Sequence, residues 1–113
     1  MYPSKYYAAP SSMLTPDFDV EEITAQQTQL EPPWKVFIHN DDVTPMDFVV
    51  QILLTVFKLD LDTAVDVMLV AHTAGVAYVA TLPKSEAEKR VGKAHFAAAL
   101  EGYPLLFTIE PET

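Results

Sequence analysis

At 113 residues, 50% of them hydrophobic, the chain has room for one small domain with a real core. It contains no cysteine, which excludes disulfides and thiolate metal sites, and its net charge of -9 leaves little basic surface to neutralise phosphates, so no nucleic-acid partner is expected. No window approaches the ~18 apolar residues of a membrane span, and Met1-Tyr2-Pro3-Ser4-Lys5 has no basic region followed by an apolar stretch, so neither a membrane partner nor a signal peptide is expected.

Residues 1–33 read as a flexible extension. Pro, Ser, Thr and Gln are common, glycine is absent, and no amphipathic period holds. The segment carries five of the sixteen acidic side chains and one lysine, and Glu31-Pro32-Pro33 closes it in extended backbone. Tyr2, Tyr6, Tyr7, Met13, Leu14 and Phe18 make it more apolar than a pure linker requires.

The remainder, residues 34–113, reads as β-α-α-β-α-β. Trp34 to His39 is a short apolar strand. Thr44-Pro45-Met46-Asp47 opens a helix, with Thr44 as the N-cap, Pro45 at the first helical position and Asp47 reaching back. That helix is expected to reach about Lys58, and Phe48, Val49, Ile52, Leu53, Val56 and Phe57 make it largely buried. Asp60 or Asp62 begins a second helix that Gly75 ends. Val76 to Leu82 is the second strand, with Tyr78 and Ala80 on one face and Val79 and Thr81 on the other. Ser85-Glu86-Ala87-Glu88 fits a capping box for a third helix that runs to Glu101, with Val91, Ala94 and Ala98 in its core stripe. Gly102 stops it, and Leu105 to Glu110 is the last strand. The fold class is α+β, a three-stranded antiparallel sheet backed by three helices.

The densest chemistry lies in His39-Asn40-Asp41-Asp42-Val43-Thr44-Pro45-Met46, at the first strand-to-helix corner. An amide and two carboxylates stand there beside a methionine. Met68, Ala71 and His72 share one face of the second helix, at i, i+3 and i+4. If the two helices pack as a hairpin, Asn40, Asp42 and His72 supply acceptors for the three donors of an ammonium group, and Met46, Met68 and Ala71 supply an apolar floor. An α-amino group bearing a large hydrophobic side chain has that chemistry. The plainer readings stay open at this level: a core or surface histidine, core methionines, and a capping turn before a helix. A metal centre is not expected, because no His-x-x-x-His, Glu-x-x-His or calcium-loop pattern is present. A hydrolase lacks its nucleophile here: there is no cysteine and no Gly-x-Ser-x-Gly. His95 reads as helix surface or core edge.

Trp34-Lys35-Val36-Phe37-Ile38-His39-Asn40-Asp41-Asp42-x-Thr44-Pro45-Met46-x-Phe48-Val49 resembles the signature of the ClpS adaptors. Met68-Leu69-x-x-His72, the Gly75 turn, the stretch from Ala87 through Lys89 to Val91, and Tyr103-Pro104-Leu105 match in order and spacing, so the resemblance covers roughly residues 34–111. It implies a bacterial, non-catalytic adaptor. Such a protein binds proteins beginning with Leu, Phe, Tyr or Trp and passes them to an AAA+ unfoldase of the ClpA or ClpC type. On this chain it implies that Asn40, Asp42 and His72 contact the α-amino group and that Asp41 bonds the peptide backbone just after it. Thr44, Met46, Val49, Met68, Ala71 and Leu105 would line the side-chain pocket, with Met46 a gate against β-branched residues. Ser85 and Arg90 would face the unfoldase, and Arg90→Glu is expected to abolish docking but spare peptide binding. The flexible extension would be engaged by the unfoldase pore. A cytoplasmic monomer without cofactors is expected. The chain departs from the family in three places: Ala71 where Val is usual, Ser85 where Glu is usual, and no Cys-Gly pair within Val76 to Thr81.

Overall fold

A computed structural model describes residues 31–113. The extension read over residues 1–33 therefore lies outside the described residues, apart from its last three. Of those, Pro33 already belongs to the sheet. It stands opposite Pro83, and its carbonyl accepts a hydrogen bond from the Glu112 N–H at 3.2 Å.

Six elements follow in the expected order: β1 (Pro33–His39), α1 (Met46–Thr55), α2 (Leu61–Ala74), β2 (Val76–Pro83), α3 (Lys84–Leu100) and β3 (Leu106–Pro111). β1 is the middle strand and pairs antiparallel with both neighbours, giving the order β2-β1-β3. Alternation along β1 and β3 turns Val36, Ile38 and Phe107 inward, where they are almost fully buried. The helices cover that face. Leu53 is fully buried on α1, and the buried Ala64, Ala87, Ala94 and Ala98 let α2 and α3 lie close to the sheet. The Phe57 ring stacks on Phe107 at 4.8 Å between centroids. Burying a side chain such as Leu53 contributes about 1.5–3 kcal/mol.

β2 departs from simple alternation. Val36 faces Ala80 but Phe37 faces Tyr78, so Val79 is an extra residue that forms a bulge. Ala77 and Val79 are buried before it, whereas Ala80 and Leu82 pack on the core after it. Ala80 does not therefore share a face with the exposed Tyr78, as strict alternation predicts.

Helix ends show where local signals win and lose. Asp60 caps α2, its side chain accepting from the Thr63 N–H at 2.8 Å. That bond holds the Asp60 carboxyl below the usual carboxylate range. Gly75 ends the helix at φ 92°, with its N–H on the Ala71 carbonyl. Gly102 ends α3 at φ 78°, its N–H on Ala99 and the Tyr103 N–H on Ala98, the paired bonds of a glycine C-terminal cap. α1 and α3 do not use the expected caps. Pro45 and Pro83 occupy the cap positions in extended conformation, with no side-chain cap bond, because a proline's fixed φ sets the turn into each helix. Thr44 and Ser85 are thereby displaced from capping, and Asp47 bonds its neighbour Phe48 N–H instead of reaching back.

α1 also stops at Thr55, short of Lys58. Lys58 has φ 62°, a left-handed conformation unfavourable to any residue with a Cβ. Lys58→Gly is expected to raise stability by about 0.5–1 kcal/mol in urea denaturation. Unchanged or lower stability would show that this turn carries no removable strain.

Candidate functional site

The site begins with the corner after β1. The Asn40 N–H donates to the Gly75 carbonyl at 2.9 Å. This bond ties the end of β1 to the end of α2, so the last two turns of α2, with Met68, Ala71 and His72, come to rest beside the Asn40-Asp41-Asp42 loop.

Asp41 then builds the loop. One of its carboxylate oxygens accepts from the backbone N–H of Val43 at 2.8 Å and of Thr44 at 2.6 Å; the other accepts from the Thr44 hydroxyl at 2.9 Å. Partial burial pushes its carboxyl up, but the bonds from the Thr44 N–H, the Val43 N–H and the Thr44 hydroxyl outweigh that and hold it below the usual carboxylate range. Three of about four acceptor positions are thus engaged inside the protein. The fourth wall comes from the turn after α3. Tyr103 packs edge-on against Phe48 of α1 at 4.9 Å, and this contact sets the buried Leu105 against the same space.

Together these elements enclose an open-mouthed cavity of about 310 Å³. The polar residues singled out from sequence, Asn40, Asp41, Asp42 and His72, line it. So do Thr44, Met46, Val49, Met68, Ala71 and Leu105. Val49, Ala71 and Leu105 are buried and make its floor, while Met46 is 45% exposed at the rim. Asn40, Asp42 and His72 are exposed, and their side chains make no hydrogen bond or ion pair to other described residues. An amide, a carboxylate and an imidazole therefore stand with unused acceptors beside an apolar floor. Ile38, His39, Val43 and Pro45 also line the cavity. The last three belong to the eight-residue motif but were given no site role from sequence, and Ile38 directly precedes it.

Ser85 and Arg90 lie elsewhere, on α3. Five positions apart, they are separated by about 140° around the helix and do not share a face. Ser85 is exposed. Arg90 is half-buried. Its Nε donates to Glu86 at 2.8 Å, and its Nη1 donates to the Phe57 carbonyl at 3.4 Å. That bond from Arg90 is the main reason the Glu86 carboxyl sits below the usual range. Arg90 thus has an internal role, holding α3 against the turn that follows α1.

Among the described residues, no group of three or more His, Asp or Glu side chains is placed to hold a metal ion. No helix among them is long and apolar enough to cross a membrane.

Fold and cavity together define a small α+β binding domain, with an acceptor-rich rim above an apolar floor. The family model described as ATP-dependent Clp protease adaptor protein ClpS matches residues 29–108. The ATP-dependent Clp protease adapter protein ClpS 2 of Mesorhizobium japonicum is 43% identical over 99 residues, 86% of this chain and 98% of that protein. The ClpS of Vibrio cholerae is 38% identical over 99 residues, 86% of this chain and 92% of that protein. Among solved structures, Agrobacterium tumefaciens ClpS2 bound to L-phenylalaninamide superposes with a TM-score of 0.69 at 40% identity, covering 72% of this chain and 98% of that one. The chain belongs to the ClpS family of ATP-dependent Clp protease adaptors.

Proposed function

We propose that this adaptor captures proteins whose first residue is Leu, Phe, Tyr or Trp and delivers them to a Clp AAA+ unfoldase of the ClpA or ClpC type in the bacterial cytoplasm. The observation that carries the reading is the juxtaposition of three acceptors without partners among the described residues, on Asn40, Asp42 and His72, with the buried floor of Val49, Ala71 and Leu105. An α-ammonium group offers three donors in a tetrahedral fan, and its own side chain fills the space below. The phenylalaninamide bound by the Agrobacterium relative is a free amine beside a benzyl group, the same chemistry. The work is binding, not bond-making, and it calls for no cofactor. Asp41 serves by shaping the loop, with one acceptor position left for the peptide backbone. Met46, at the rim, rejects side chains branched at Cβ.

The test is an anisotropy titration with labelled peptides that differ only in residue one. Leu, Phe, Tyr and Trp are expected to bind at micromolar concentration or below; Ile, Val and acetyl-Phe are expected to fail. Failure of all of them would sink the reading. Within the panel, Ala71 gives the floor more room than the valine usual in the family, so Trp and Tyr are expected above Leu. Ala71→Val should narrow that margin, since each buried methyl is worth about 0.8 kcal/mol of fit or clash. A wild-type ranking with Leu far above Trp would refute this role for Ala71. His72→Ala is expected to weaken binding of the free-amine peptides; unchanged affinity would take the acceptor role from His72.

On the unfoldase side, the internal bonds of Arg90 complicate Arg90→Glu, because a second carboxylate would then face Glu86. Ser85→Arg is a second probe of that surface, at an exposed position. Loss of unfoldase binding with unchanged peptide affinity is expected, and unchanged docking would remove Ser85 from that surface.

A further inference from the structure

The sheet has a second face, away from the helices, where the ladder sets three cross-strand rows. His39 stands between Val76 and Leu106, Phe37 between Tyr78 and Thr108, and Lys35 between Thr81 and Glu110. Val76, Tyr78 and Leu106 are exposed there. A groove of about 420 Å³ runs along this face, lined by Phe37, His39, Val76, Thr108, Ile109 and Glu110. His39 lines this groove and the first cavity alike. Its Nε2 lies 2.7 Å from the Thr108 hydroxyl, which fixes the ring between the two spaces.

We propose that this groove is a second subsite, which receives the third to fifth residues of the same polypeptide whose first residue occupies the cavity. This rests on the function proposed above. The two spaces share one wall, so a chain leaving the cavity over His39 enters the groove without crossing open solvent. An extended chain rises about 3.3 Å per residue, which places its third to fifth residues about 7–13 Å from the bound terminus. The ladder from His39 to Lys35, four residues along, runs about 13 Å and so reaches that far. The groove's chemistry favours a basic side chain. The Phe37 ring and Val76 offer apolar surface to an aliphatic stem, and the Glu110 carboxylate at the far end makes no ion pair or hydrogen bond to other described residues. Lys35 stands opposite Glu110 in the ladder, yet no ion pair joins them.

The experiment uses the full chain and four probes: phenylalaninamide, and Phe-Ala peptides continued by three arginines, three alanines or three glutamates. The wild type is expected to prefer the arginine peptide to the glutamate peptide by about two- to fivefold, the scale of one exposed ion pair. Glu110→Lys should collapse or invert that ratio and leave phenylalaninamide affinity unchanged. Glu88→Lys makes the same change in net charge on an exposed position of α3 and should preserve the ratio. An equal response to the two variants would assign the preference to overall charge and overturn the subsite. So would a wild type indifferent to residues three to five. If phenylalaninamide itself fails to bind the wild type, the parent reading falls, and the subsite with it.

Discussion

Asp42→Ala is expected to weaken binding of a peptide with free N-terminal phenylalanine by more than about a hundredfold, because the ammonium group loses the only free carboxylate among the described residues that line the cavity. Asp41 cannot substitute, since its carboxylate already accepts three bonds from Val43 and Thr44. The fold should not change. Asp42 is exposed, and its side chain bonds to no other described residue, so the thermal unfolding midpoint should match the wild type. Acetyl-Phe approaches the same interaction from the ligand side, removing the charge and a donor. A double cycle of Asp42→Ala against acetylation separates the two terms. The second change should cost little once the first is made. If acetylation weakens the Asp42→Ala protein as severely as the wild type, Asp42 is not the partner of the amine.

The architecture was legible because its signals were redundant. Hydrophobic period, Gly75, Gly102 and the Asp60 cap all point to the same boundaries, and the six elements appear in the expected order. The cavity was legible because its residues fall into two short segments and Leu105, and helical spacing puts Met68, Ala71 and His72 on one face. Most of what was not legible required knowledge of a distant partner; the cap positions turned on competition between neighbours. The bulge at Val79 depends on how β2 registers against β1, and nothing local in Val76 to Leu82 marks it. Thr44 and Ser85 have the side chains of N-caps, but the neighbouring prolines take the cap positions. Arg90 is expected from the resemblance to face the unfoldase; its contact with the Phe57 carbonyl, which spans 33 positions of sequence, could not be read. His95 read as surface or core edge, yet its Nε2 accepts the Phe107 N–H of edge strand β3 at 2.9 Å. The imidazole thus satisfies a backbone donor that the sheet leaves unpaired.

The second large effect falls on Asp41. Its substitution by alanine removes a carboxylate that organises the whole corner between β1 and α1, so both stability and recognition are expected to suffer. Hydrogen bonds to a charged group are worth about 1.5–3 kcal/mol, and three bonds to one carboxylate do not add fully. A loss of about 2–3 kcal/mol in urea denaturation is the expected result. Peptide affinity should fall as well, because Asn40, Asp42 and Met46 hang from the backbone that Asp41 orders. The pH dependence identifies the cause. The folded carboxyl is held below the ordinary aspartate value of ~3.9, so its contribution is fully present above that value. It fades as the pH falls below the ordinary value and through the folded one. The stability gap between wild type and Asp41→Asn should therefore be constant across neutral pH and close only in strong acid. Asp41→Asn keeps an oxygen acceptor but no charge, so it should retain part of the loop. A gap that closes near neutral pH would assign the loop's stability to another group, and an Asp41→Ala protein with wild-type stability and affinity would show that Pro45 and the bond from Asn40 to Gly75 suffice to hold the corner.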